Sequence, residues 1–210
     1  MGRPDFEMAQ NKATEFLLSH KITGLAFDPR NLDLTSDRTI IDTIENYASL
    51  TGQDVRCFMG RNIDGCYTVK YAGYNIILYS SSDTSTLNHK IFGITHELGH
   101  IYCGHTVDGE TQEIEANYFA AQVLMPESVI YYIMKVYKNN RITALDLINI
   151  FDVSFEAAQK RVTTFNRKGF WNSSAIDKML VEKYKPFVDY HFGLSTHKNT
   201  FLFYEPGSIL

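Results

Sequence analysis

The sequence predicts an α+β fold, in which a short mixed or antiparallel sheet lies beside two polar-faced helices and a helical C-terminal part follows. Three short runs rich in β-branched and aromatic residues, separated by glycines, indicate strands at about 54–59, 65–71 and 74–80. The segment HKIFGITHELGHIYCGH has the apolar spacing of a helix. Helical patterns then recur almost to the end of the chain, so the second half should be mostly helical.

The remaining elements are predicted from periodicity and capping residues. Residues 4–19 have a helical apolar face, and Ser36 or Asp37 can cap a second helix that runs to about Leu50, before Gly52. The tail FLFYEPGSIL is consistent with a short strand. Further helices are predicted at 111–125, 126–138, 143–151, 154–168 and 174–190. We therefore divide the chain into a core at 1–125 and a helical region at 126–210, packed on that core and resembling a helix-turn-helix at about 143–168.

Composition narrows the classes of protein that need to be considered. The 210 residues have 44% hydrophobic content and a net charge of −4, which argues against a general nucleic-acid or membrane-surface binder. The sequence has no apolar run of transmembrane length and no apolar signal core near its start. Three cysteines without framework spacing suggest a reducing compartment, so we expect a cytoplasmic protein.

The pattern His96-Glu97-Leu98-Gly99-His100 carries the main chemical signal. Positions four apart in a helix differ by about 40° in direction, so both imidazoles can face one metal ion. Two histidines and a neighbouring carboxylate suit one catalytic Zn²⁺ per chain, with Glu97 as the base that takes a proton from water. A sheet beside such a helix is the layout of small zincin-like metallopeptidases. Gly99 in mid-helix suggests that another backbone approaches closely there.

A catalytic zinc of this kind needs a third protein ligand, and helical geometry favours Glu113. On the predicted helix, Glu113 falls on the buried side, and Asn117, one turn on, could orient a ligand from behind. Glu115 and Gln122 should form a narrow solvent-facing stripe. Alternatively, Glu113 could be a solvated carboxylate in the first turn of the helix.

Two nearer residues are weaker candidates for the third ligand. His105 lies in the predicted loop after the motif helix, one place short of the spacing in which a third histidine would follow HExxH in metzincins. Cys103 shares the metal-facing stripe but lies about 10 Å along the helix axis from His96. We interpret Cys103 as a small packed thiol.

HELGH followed by EIEANYFAAQVLMP resembles the ImmA/IrrE family of zinc peptidases, and FDVSFEAAQKR resembles the segment after that family's core. The resemblance covers about residues 36–165. It implies that His96, His100 and Glu113 bind zinc and that Glu97 is the catalytic glutamate. It also implies an intracellular endopeptidase that cleaves a protein, such as the helix-turn-helix repressor of a mobile element, phage or stress response.

Two other functions stay open at this point. In a DNA-binding or protein-docking regulator, the helix-turn-helix-like segment would present Gln159, Lys160 and Arg161 to a groove, and the zinc would be structural. The acidic net charge argues against DNA binding. The chain could also be a zinc protein that no longer cleaves, although an intact Glu97 argues against this.

The group that stabilises the oxyanion of a peptide-cleavage reaction is not singled out by the sequence. Tyrosine hydroxyls are suitable donors. The available ones belong to Tyr102, Tyr118, Tyr131 and Tyr132.

Overall fold

The computed structural model describes residues 2–58, 65–82, 85–107, 109–168 and 174–193. These residues form a mixed α and β structure, which confirms the predicted α+β class. The strand predicted in the tail lies outside the described residues. The helices are α1 (Phe6–Ser19), α2 (Ile44–Thr51), α3 (Leu87–Tyr102), α4 (Glu110–Leu124), α5 (Glu127–Tyr137), α6 (Ala144–Phe151), α7 (Phe155–Lys168) and α8 (Ala175–His191), and the strands are β1 (Thr39–Thr43), β2 (Cys66–Tyr71) and β3 (Tyr74–Tyr79).

The sheet is mixed, with the strand order β1-β3-β2. β3 pairs in parallel with β1 and antiparallel with β2. The hairpin between β2 and β3 turns at Ala72 and Gly73, both with positive φ, as a tight two-residue hairpin requires. Ile77 and Leu78 on the central strand are fully buried on opposite faces.

The start of the chain differs from the prediction in two places. Residues 39–43 form β1 and not the first turn of a helix, since their β-branched side chains fill a place beside β3. Helix α2 begins only at Ile44, where the Thr43 side chain accepts a hydrogen bond from the Asn46 N–H. The predicted strand at 54–59 was also wrong, because Val55–Cys57 form a short 3-10 turn capped by Asp54.

Helices α3 and α4 pack with their backbones in close contact at Gly99. A methyl group placed on Gly99 would come within 2.9 Å of both the Cα and the carbonyl oxygen of Ala116. The close approach that the sequence suggested at Gly99 therefore involves α4. It sets the distance between the two helices that carry the predicted metal ligands.

The C-terminal helices share the main hydrophobic core with the N-terminal part. Buried side chains from both parts lie in one cluster, including Phe16, Leu98, Phe119, Ile130 and Tyr184. The boundary at residue 125 stays a prediction. None of the helices in the described part of the chain combines the length and apolar character needed to cross a membrane.

Arg161, expected to face a DNA groove in the regulator interpretation, is instead 3% exposed. Its guanidinium donates to the carbonyl of Met125 and to Gln122 and lies 3.7 Å from Glu127. A buried cation needs such partners, and they fix α7 against the end of α4. Lys160 is exposed but pairs with Glu156 on the same face, so the helix offers no purely basic surface there.

Replacing Gly99 with alanine should destabilise the protein. The added methyl group meets backbone atoms that cannot rotate away, and such overpacking costs about 1–3 kcal/mol. Contact with backbone atoms at 2.9 Å places the cost in the upper part of that range, at about 2–3 kcal/mol. The gain in helix propensity recovers about 1 kcal/mol, so we expect a net loss of about 1–2 kcal/mol in the free energy of unfolding. Urea denaturation measures it.

Gly24→Ala is the matched control, because a methyl group at Gly24 meets no atom within 4 Å. It should unfold at nearly the wild-type urea concentration. A Gly99→Ala variant as stable as wild type would show that the two helices are not held at this contact.

Candidate metal centre

Helix α3 presents His96 and His100 on one side and buries the other. Thr86 caps the helix by accepting a hydrogen bond from the His89 N–H, and Ile94 and Leu98 are fully buried on the far side. The Nε2 atoms of His96 and His100 lie 3.0 Å apart. Four-residue spacing thus brings the two imidazoles together, as the sequence predicted.

Glu113 enters the same space from the first turn of α4. One carboxylate oxygen lies 3.3 Å from Nε2 of His96 and the other lies 3.3 Å from Nε2 of His100. Ligand atoms at zinc distances in a tetrahedron are about 3.3 Å apart, so this donor set fits such an ion without rearrangement. Among the described residues, His96, His100 and Glu113 form the group of side chains that could hold a metal ion.

The outer nitrogens of both imidazoles are also engaged. Nδ1 of His96 lies 3.1 Å from Oδ1 of Asn117, an acceptor that fixes the proton on Nδ1 and leaves Nε2 free of hydrogen. Asn117 thus lies behind His96, one of the predicted ligands, which is the position that the sequence suggested for it. Nδ1 of His100 lies 3.0 Å from Nδ1 of His105.

Glu97 lies in the wall between α3 and the sheet and is only 7% exposed. The hydroxyl of Thr68 on β2 donates to Oε2 of Glu97 over 2.6 Å. No motif in the sequence singles out Thr68. Strand alternation places Cys66, Thr68 and Lys70 on one face, but the pattern alone does not say which face meets α3.

The predicted solvent stripe of α4 was wrong, and so was the prediction that Glu113 lies on the buried side of the helix. Glu115 and Gln122 are 6% and 4% exposed, whereas the Glu113 side chain is 51% exposed. Helix α4 packs against both α1 and α3, so positions assigned to solvent by the helical wheel face protein. Polar partners stabilise them: Glu115 bonds to His105 and to the Asp5 N–H, and Gln122 accepts from Arg161.

The two weaker ligand candidates lie outside the three-residue cluster. His105 contacts the outer side of His100, as described above. Burial raises the pKa of the Cys103 thiol to about 11, and the nearby Glu115 carboxylate adds to the shift. A thiol with so high a pKa stays protonated near neutral pH, which agrees with the interpretation of Cys103 as a packed side chain.

Three of the four tyrosines considered for the oxyanion donate their hydroxyl hydrogens to residues outside the cluster of His96, His100 and Glu113. Tyr102 donates to Asp37, Tyr118 to Gln10 and Tyr132 to Asp189. The Tyr131 ring lies under the Lys135 ammonium group, one turn further along α5. None of these contacts singles out one of the four tyrosines for the oxyanion.

Comparison with known proteins assigns the chain to a class of metallopeptidases. Residues 46–163, more than half of the chain, match the family model of the IrrE N-terminal-like domain, peptidase family M78. The chain belongs to the ImmA/IrrE family, as the resemblance of its motifs indicated. The match includes both motif helices. No curated protein and no solved structure matches the chain.

Metal content is the direct test of the cluster. We expect about one divalent ion per chain by elemental analysis, and loss of tight binding in His96→Ala, His100→Ala or Glu113→Ala, since each removes one of three facing donors. Glu110→Ala is the matched control, because Glu110 is an exposed glutamate in the same first turn of α4. Equal metal loss from the Glu110 and Glu113 variants would contradict the assignment.

Proposed function

We propose that this chain is a zinc-dependent endopeptidase that cleaves a protein substrate. The convergence of His96, His100 and Glu113, with Glu97 one residue from the first imidazole, carries the proposal. Two neutral imidazoles and one carboxylate are a common ligand set of catalytic zinc sites, which keep a fourth position open. Zinc bound there would supply a Lewis acid that polarises a peptide carbonyl and makes water more acidic.

The protein's own contribution to the proton transfers is assigned to Glu97. Its carboxylate takes a proton from the attacking water and gives it to the departing amine, which is general base followed by general acid catalysis. Thr68 donates to Oε2, so it holds the carboxylate plane against β2 and limits its rotation. Burial of Glu97 at 7% exposure keeps bulk water from competing for the same oxygen atoms.

Strand β2 is proposed to hold the substrate chain. Within the described residues, β2 pairs with β3 on one side and has no strand on the other. A peptide added along this outer edge would be extended, with main-chain hydrogen bonds giving affinity for many sequences. Because Thr68 joins β2 to Glu97, a peptide on this edge would pass the proposed base.

The substrate we propose is a helix-turn-helix transcriptional repressor, and cleavage would relieve repression. The family resemblance supports this substrate class, and an open strand edge suits a segment that unfolds locally to become extended. We propose that the protein acts in the cytoplasm, where such a repressor would be found. The test is co-expression with a candidate helix-turn-helix repressor, scored for a cleaved product.

Thr68→Val should lower turnover without releasing zinc. Valine has a similar shape but cannot donate to the Glu97 carboxylate, and a hydrogen bond to a charged group is worth about 1.5–3 kcal/mol. We therefore expect kcat to fall by about tenfold or more, while zinc content and KM stay close to wild type. Steady-state kinetics on a cleaved repressor measure this.

Thr68→Ser is the matched control, since it keeps the hydroxyl group. Serine should restore most of the wild-type kcat. If valine and serine behave alike, the hydroxyl does not position Glu97, and the contact serves packing only.

Glu97→Gln should keep zinc and lose most of its turnover. Glutamine keeps the shape and can still accept from Thr68, but it cannot accept a proton as a base. General acid–base catalysis contributes about 10²–10⁴-fold, so kcat should fall by at least about 10²-fold. The measurement is the rate at which the zinc-loaded wild type and the zinc-loaded Glu97→Gln variant cleave the repressor. Near-equal rates would assign the proton transfer to another group.

A further inference from the structure

His105 and Glu115 form a buried pair directly behind the proposed ligand His100. The chain leaves α3 through Gly104, whose φ of +72° is left-handed, and the His105 N–H then donates to the carbonyl of His100. This tight turn brings the His105 ring back beneath the His100 ring, with the ring centroids 5.0 Å apart. The side chains of His105 and Glu115 are only 7% and 8% exposed.

The hydrogen bonds run in one direction away from the cluster. Nδ1 of His100 lies 3.0 Å from Nδ1 of His105, and Nε2 of His105 lies 2.9 Å from Oε2 of Glu115. The other oxygen of Glu115 accepts the N–H of Asp5 over 2.7 Å. The chain of contacts therefore begins at Nδ1 of His100, on the side away from the cluster, and ends at Asp5, the N-cap of α1.

The donors and acceptors along this chain allow one arrangement of hydrogens that suits metal binding. If Nε2 of His100 gives its lone pair to a metal, its proton must be on Nδ1. That N–H needs an acceptor, so Nδ1 of His105 must carry no hydrogen and Nε2 of His105 must carry one. The Nε2–H then points at Oε2 of Glu115, which accepts it. Every hydrogen in the series has one donor and one acceptor.

We propose that His105 and Glu115 are positioning residues that hold His100 in the tautomer and orientation needed for metal binding. The proposal rests on the proposed zinc site. His105 and Glu115 would support His100 in the way that Asn117 supports His96, but through two buried side chains in series. A ligand histidine usually donates its second N–H to such a partner, and loss of the partner typically weakens metal affinity by about 10–100-fold.

The experiment is zinc affinity of the full chain, measured by competition with a chelator at fixed pH. His105→Phe keeps a ring but no acceptor, so its zinc affinity should fall by about 10–100-fold. His105→Asn restores an acceptor near the position of Nδ1 and should return to within a few-fold of wild type. Glu115→Gln removes the charge but keeps the shape, and we expect a loss of about tenfold. Glu110→Gln on the exposed surface of α4 should bind as wild type does.

A purely structural role for the pair would give a different pattern. It would lower the unfolding temperature of the metal-free protein and leave both zinc affinity and the visible absorption bands of the Co²⁺-loaded protein unchanged. If the pair positions His100, the Co²⁺ bands should shift in His105→Phe. Loss of the acceptor lets His100 reorient, and its orientation affects the ligand field. Wild-type affinity and wild-type Co²⁺ bands in His105→Phe would overturn it. If His105→Phe does not fold, unchanged zinc affinity in Glu115→Gln would overturn it.

Failure of the zinc site itself would look different again. In that case wild type would bind no zinc tightly, or His96→Ala would bind as much zinc as wild type. Such a result would remove the proposed function and this inference together. Tight zinc binding by wild type with no effect of the His105 and Glu115 variants would remove only the inference.

Discussion

The site depends on the distance between two helices, and one glycine sets that distance. The imidazoles belong to α3 and the third facing carboxylate belongs to α4, so no local sequence spacing can bring all three together. Their atoms lie 3.0–3.3 Å apart because Gly99 lets the backbone of Ala116 come into direct contact with α3. Backbone atoms in contact cannot move apart by rotation of a side chain, so the spacing between α3 and α4 is rigid. The positions of the three clustered side chains are held equally firmly.

Features governed by short-range spacing could be predicted from the sequence. The helical period placed His96 and His100 on one face, and the buried stripe of Ile94 and Leu98 lies on the other. The strands β2 and β3 followed from two apolar runs on either side of Ala72 and Gly73, and the structure pairs them as a hairpin. The special need for a small residue at Gly99 was also visible, since glycine in mid-helix is costly without a packing reason.

Features that depend on distant partners were not predictable in the same way. Thr39–Thr43 became a strand because β3, more than thirty residues later, offers a parallel neighbour. Glu115 was assigned to solvent by a helical wheel that treats a helix as having one buried side. Helix α4 has protein on two sides, α1 and α3, and the buried carboxylate is stabilised by His105 and by the Asp5 N–H. Thr68 illustrates the same limit, since its face of β2 is defined only by contact with α3.

The hydrogen bond from the Asp5 N–H to Glu115 bears on how short a fragment of this protein could still fold. The family match begins at residue 46, yet α1 and β1 precede it. A fragment trimmed to the matched limits would leave β3 without its parallel neighbour and would strip one partner from a buried carboxylate. It would also remove both α1 and α8, which are joined by hydrogen bonds from the Lys183 ammonium group to the carbonyls of Leu17 and Leu18. The autonomous folding unit is therefore larger than the segment that defines the family.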